Sequence, residues 1–523
     1  MELTSNVRSL GFHYLPVLSV TPMKLIVRSL KSHVFTWCIV VTATSLLCGQ
    51  EPLPPTPHGQ AKGEWNDWLK ELSPTARRGY EHLIKSPYLP SDFDSDVAYR
   101  LAKASWKLAQ RNSNTTSTSL LEKESEPTNA QLAEAFWDRF GLTSRPELSP
   151  APDESSLDSK PNQLPPPLQY VVNEDGSYVM NCFACHGGKV NGVTYPGAPN
   201  NRYALQTLTE EARLLKLQLG KQLTHMDLGS AFLPLGTTRG SSNAVMFGVA
   251  LMHFRDADLN VIQWRPAPKL VNHDMDPPPW WHFKKKHHLY IDGFAEKGHR
   301  GLMQFMLVRQ NGPEKFREWE DDFREVFEFI SSVPSPKYPG PINQELAEQG
   351  KTIFVEHCSN CHGTYGAGGS YPEQIIALEE IGTDPVRYQS LSAEHRKAYG
   401  ESWFALNGQQ ETIAEPGGYV APPLDGVWAS APYFHNGSVP TLWHVLNPEK
   451  RPALWKRTIE ATDFEKVGLT VDELSELPNK LTTEQRREYF DTRGFGKSAV
   501  GHDFPKRLTE AQRTAVLEYL KTL

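Results

Sequence analysis

The chain has 523 residues, room for two or three domains, with 39% aliphatic and aromatic residues to build cores and 41 prolines and 37 glycines to build long connections. A net charge of -7 is mildly acidic for this size and gives no reason to propose nucleic acid as a partner.

Residues 34 to 47 form an apolar run behind Lys24, Arg28 and Lys31, the charged and hydrophobic regions of a secretory signal. The run is short for a bilayer span. Residues 1–49 therefore read as an export signal, of ordinary proportions if translation starts at Met23. Left uncleaved, it would be the chain's membrane association. The expected location is periplasmic or otherwise outside the cytoplasm.

Residues 50 to 63 are Pro-rich. Helical periodicity follows over 64 to 140, as in Trp65-Asn66-Asp67-Trp68-Leu69 and Gln131-Leu132-Ala133-Glu134-Ala135-Phe136-Trp137, broken by a polar loop at Ser113 to Ser119. Residues 145 to 168 read as a Pro- and Ser-rich linker. Residues 50–168 are thus expected to be a helical extension with its linker.

Cys182-Phe183-Ala184-Cys185-His186 and Cys358-Ser359-Asn360-Cys361-His362 both read C-x-x-C-H, the attachment signature of a c-type haem. Thiols three residues apart lie on one helical turn and can each form a thioether with the porphyrin. The following histidine then sits under the iron as its proximal ligand. A single four-cysteine zinc cluster would leave both histidines unexplained. A thioredoxin-like pair needs a βαβ context that the chain does not offer. Cys38 and Cys48 lie in the export segment, so no cysteine is left over for a structural disulfide. Two covalently bound haem c groups are expected, and an export signal fits their attachment outside the cytoplasm.

The first haem domain is expected over 169–340 and the second over 341–523, with Pro334, Pro336, Pro339 and Pro341 at the boundary. Between His186 and His225 there is no histidine. Ser241 to Phe254 is largely apolar, and its Met246 and Met252 read as core. This favours an open, apolar distal side on the first haem. Lys284-Lys285-Lys286-His287-His288 reads as a solvated charge run. Close to Trp281, it is also placed to neutralise haem propionates or to dock an acidic redox protein.

In the second domain Asn343 to Cys358 reads as a helix, with Gly350 and Phe354 where a cytochrome c places small and aromatic residues. Leu508 to Leu520 reads as a closing helix capped by Thr509. No methionine follows Met306. A sixth ligand drawn from this domain is therefore a histidine: His395, His435, His444 or His502.

The stretch Tyr419-Val420-Ala421-Pro422-Pro423-Leu424-Asp425-Gly426-Val427-Trp428, continuing through Ala431-Pro432-Tyr433-Phe434-His435-Asn436-Gly437-Ser438-Val439-Pro440-Thr441-Leu442, resembles the signature of the bacterial di-haem cytochrome c peroxidase superfamily. Within it, the chain is most similar to the branch that contains the di-haem rubber oxygenases. The resemblance covers roughly 165 to 523, with both haem motifs, this block and the Gly501-His502 loop in order. It implies a mainly α fold of two cytochrome c-like haem domains with long loops, here behind an N-terminal helical extension. It also implies a catalytic first haem acting on peroxide or dioxygen, an electron-transferring second haem, and a small redox protein as donor or acceptor. His502 is implied as sixth ligand of the second iron. A tryptophan between the haems is implied as well, and Trp281 in Pro279-Trp280-Trp281-His282 is the candidate. Typical peroxidases carry a displaceable histidine soon after the first motif. Its absence here favours the oxygenase-like branch, although rubber as substrate does not follow. The rival reading is an electron-transfer cytochrome with both irons six-coordinate.

Overall fold

The structure, a computed structural model, describes residues 64–114, 126–146 and 163–523. The export segment with Cys38 and Cys48, the Pro-rich residues 50–63, most of the Ser113 to Ser119 loop and most of the 145–168 linker lie outside them.

The fold is mainly α. In chain order the helices are α1 (Pro74–Lys85), α2 (Ser95–Asn114), α3 (Asn129–Phe140), α4 (Phe183–His186), α5 (Leu205–Gln218), α6 (His225–Phe232), α7 (Ala244–His253), α8 (Pro313–Glu318) and α9 (Glu320–Ser332). They continue with α10 (Gln344–His357), α11 (Ser359–His362), α12 (Leu378–Ile381), α13 (Val386–Ser390), α14 (Ala393–Gly400), α15 (Leu442–Leu446), α16 (Thr483–Arg486) and α17 (Glu510–Leu520). A three-stranded antiparallel sheet has Leu454–Asp463 at its centre, flanked by Gly468–Glu473 and Tyr489–Asp491. Among the described residues no helix is long and apolar enough to cross a membrane.

Two helix crossings frame the two C-x-x-C-H turns. The closing helix α17 starts at Thr509, whose hydroxyl accepts from the Gln512 amide. It packs on α10, which is capped by Asn343. At the crossing Gly350 lies so close to α17 that a Cβ added there would come within 1.9 Å of the Ala515 carbonyl oxygen. Phe354 packs on Tyr519 one turn on, at 5.2 Å. The same device recurs near the N-terminus. Helix α1 opens with Ser73 as cap and Pro74 at its first position. It packs against α9, where a Cβ on Gly79 would come within 2.0 Å of the Glu325 carbonyl oxygen. In both crossings the absent side chain lets the helix backbones touch.

Residues 64–140, which the sequence sets apart as an extension, do not stand apart. Trp65, Leu69, Tyr80 and Leu83 are buried in one core with Phe183 and Trp280, beside the first motif. Tyr80 and Phe183 meet edge to face at 5.7 Å. Helices α2 and α3 bury Val97, Leu101, Leu132 and Phe136 in a second, smaller core with Ala184, Tyr203 and Leu208 of the first-motif region. The reason is simple: α9, the partner that covers the apolar face of α1, lies more than two hundred residues away in sequence.

Candidate haem sites

At the first motif α4 is a single turn. The Asn181 side chain accepts from the Phe183 amide at 2.9 Å and donates to the Leu168 carbonyl, which starts the turn. Phe183, fully buried, anchors it. Cys182, Cys185 and His186 are left half-buried. Burial pushes the Cys182 thiol up to about 12 and the Cys185 thiol to about 11, so both are protonated at neutral pH. The side chain of Ser242, two residues before α7, partly offsets that rise at Cys185.

His186 Nδ1 lies 3.1 Å from the Pro278 carbonyl oxygen. A carbonyl only accepts, so Nδ1 carries the proton and the Nε2 lone pair is free. Burial lowers this histidine to about 4, which keeps the imidazole neutral and able to bind a metal. Trp280 stacks on the ring at 4.9 Å. Among the described residues no other ring lies against His186.

The second motif repeats the arrangement. His362 Nδ1 donates to the Pro422 carbonyl at 2.9 Å, and burial lowers its pKa. Its ring, however, is opposed by that of His502, with centroids 6.1 Å apart. His502 sits in a left-handed backbone conformation, φ 48°. Its amide donates to the Ile381 carbonyl, while Arg451 gathers the carbonyls of Ala499 and Gly501 at 2.7 Å each. Phe434 and Phe504 flank its ring.

The other three histidines do different work. His444 is fully buried and hydrogen-bonds Thr441 at 2.8 Å. His395 joins Ser392 in capping α14. His435 rests on Tyr419 at 4.6 Å. Met246 is fully buried, as a core residue should be.

The segment between Pro278 and Lys285 spans the two motifs. Pro278 receives His186 at one end. Two residues beyond Trp280, His282 Nε2 donates to the Asp425 carbonyl at 2.9 Å, and Lys285 pairs with the Asp425 carboxylate at 2.8 Å. Asp425 lies three residues beyond Pro422, the acceptor for His362. Trp281 stands in this span, buried, edge to face with Tyr195 at 6.0 Å. Its indole N–H has no partner among the described residues. Gly426 gives it room, since a Cβ there would sit 3.1 Å from Nε1. Lys284 is exposed, but Lys285 and Lys286 are half-buried, and burial lowers Lys286. The run is therefore only partly a solvated face.

These residues fit haem c. Each motif offers two thiols on one turn and an imidazole whose outer nitrogen is tied to a carbonyl. At the second, His362 and His502 face each other with ring centroids 6.1 Å apart, and both imidazoles would hold the group there. Among the described residues no group of three or more metal-binding side chains converges, so the cysteines do not form a common zinc cluster. The carbonyls of Pro278 and Pro422 escape a reading by side chains. The Pro277-Pro278-Pro279 run and the block around Pro422 are their only trace in the sequence.

A family model described as RoxA-like, cytochrome c-like matches residues 418–456, the stretch that holds Pro422, Asp425 and His435. The chain is also 29% identical over 203 residues to the uncharacterised protein y4iM of Sinorhizobium fredii, covering 34% of this chain and 45% of that protein. A second protein of the same organism, the uncharacterised y4iJ, is 29% identical over 261 residues, covering 37% of this chain and 42% of the relative. Each match thus spans less than half of the relative's length. The matched stretch is similar to RoxA-like cytochromes, and a cytochrome c-like domain of that kind implies covalently bound haem c.

Proposed function

We propose that this protein is an exported di-haem c-type oxidoreductase that activates peroxide or dioxygen at the first motif and relays electrons through the second. One observation carries the reading: His362 is opposed by His502, whereas the ring contact of His186 is Trp280, on an imidazole already tied to Pro278. His362 and His502 together would hold a metal at the second site, and His186 alone at the first. Haem iron supplies the oxygen or peroxide chemistry there when bound.

The chain's own residues set the conditions. Cys182 and Cys185 attach the first group, and Cys358 and Cys361 the second. Pro278 and Pro422 fix the tautomer and rotation of the two proximal imidazoles. His502 closes the second site, which suits it to electron transfer. The apolar residues of α7, which begins beside Cys185, limit water at the first site and strengthen the electrostatics there. Trp281 is the relay between the sites. Residues 169–340 and 341–523 are the two haem domains, with α1 and α9 closing the first. Residues 1–49 direct export to the periplasm or beyond, and a small redox protein exchanges electrons with the second site.

Electron paramagnetic resonance of the oxidised holoprotein, with cyanide and peroxide titrations, tests this. One high-spin or ligand-binding ferric haem beside one low-spin haem is expected. Two low-spin haems indifferent to both ligands would make the protein an electron carrier instead. A denaturing gel without haem stain would end the reading altogether.

A further inference from the structure

Helix α7 begins two residues after Ser242, whose side chain acts on the Cys185 thiol, so it starts at that side of the first motif. The short helical segment Arg300–Met306 packs on α7 and reaches the other side of the same motif. Asn311 ties it there. Its side-chain amide donates to the carbonyls of Met306 and Tyr88 at 2.9 Å each, and the Tyr88 phenol lies within electrostatic reach of the Cys182 thiol. Of the side chains these two elements bury, Met246, Val249, Met303 and Met306 are apolar, and Gln304 is polar.

A buried carboxamide calls for partners. The phenol of Tyr290 donates to Gln304 Oε1, the one hydrogen bond of that side chain among the described residues. The amide nitrogen therefore keeps its donors. It stands against Gly248 of α7, where an added Cβ would meet it at 3.4 Å.

Tyr290 is itself held in a strained pose. Its backbone is left-handed, φ 67°, a conformation unusual for an aromatic residue. Such strain persists only where the surroundings enforce it, and it gathers at ligand sites. Here the Lys286 ammonium and the Gly293 amide both donate to the Tyr290 carbonyl, at 3.3 Å each. Phe294 stacks on the ring at 4.7 Å, and Tyr399 meets it edge-on at 6.2 Å. Burial, then Tyr399, hold the phenol well above its usual range, so it stays a hydrogen donor.

We propose that Gln304 donates a hydrogen bond to the ligand taken up at the first haem site, and that Tyr290 is the positioning residue that aims it. The ligand is small and electron-rich at the accepting atom, as peroxide, dioxygen and halides are. The proposal rests on the open first site proposed above, and it gives that otherwise apolar site one directed donor.

Fluoride binding to the ferric holoprotein and the infrared stretch of carbon monoxide on the ferrous form test it. In Gln304→Leu fluoride should bind about tenfold more weakly, the loss of one hydrogen bond to a charged acceptor. Carbon monoxide should still bind, with its stretch moved to higher frequency as the donor that polarised it is lost. Tyr290→Phe should move both readings the same way by less, since the amide remains but is no longer aimed. A pair that only packed the core would leave the stretch unmoved. Parent-like readings in a haem-loaded Gln304→Leu overturn the proposal. Where that variant fails to hold haem, Tyr290→Phe decides, and parent-like readings there overturn the proposal as well. A parent protein that stains for haem yet takes up neither ligand overturns the open-site reading first, and this proposal falls with it.

Discussion

His362 and His502 face each other with ring centroids 6.1 Å apart, although 140 positions of chain separate their numbers. The pairing makes a direct demand on His502. In His502→Ala the second haem should change from a low-spin centre to one that binds cyanide. In His502→Met its potential should rise, within the roughly 0.8 V that axial ligands span. Redox titration and paramagnetic resonance read both changes, and unaltered spectra would remove His502 from the iron.

Gly350→Ala should lower stability by about 3 kcal/mol or more, because the new methyl group would have to displace helix backbone rather than a side chain. Gly79→Ala should cost a similar amount. Urea unfolding measures each. If α1 were a dispensable extension, its variant would unfold like the parent.

Trp281→Phe should leave the fold nearly intact, at a cost under about 2 kcal/mol, since the indole N–H it removes makes no hydrogen bond among the described residues. Electron exchange between the two haems should slow. Pulse radiolysis of the variant, with the same inter-haem rate as the parent, would show that electrons take another route.

His282 gives the protein a pH dependence. Burial lowers it from 6.5 to about 4 in the folded chain. Between those values the unfolded chain takes up a proton that the folded chain refuses. Stability is therefore complete above pH 6.5 and falls as the pH drops towards 4, by up to about 3 kcal/mol from this buried group. Thermal melts from pH 7 to 4 should show the fall, with a shallower slope in His282→Gln.

The sequence made legible whatever is local. Both C-x-x-C-H turns, the Thr509 cap and the Gly350 to Phe354 spacing each occupy a few consecutive residues, and the structure forms α4, α11, α17 and α10 there. Spacing alone left four histidines open in the second half. The choice depends on which loop α12 and Arg451 hold against His362, and that is a matter of tertiary packing. The place of residues 64–140 was hidden because α1 finds its partner in α9.

The span from Pro278 to Lys285 behaves as a short strut with a proximal imidazole hung at each end, one directly and one through Asp425 and Pro422. Neither ring can swing without pulling on that strut. On the proposed reading both centres should therefore keep their geometry as charge comes and goes, which would lower the reorganisation needed for each electron transfer. By the same linkage, a distortion imposed at one centre would be felt as a tilt at the other.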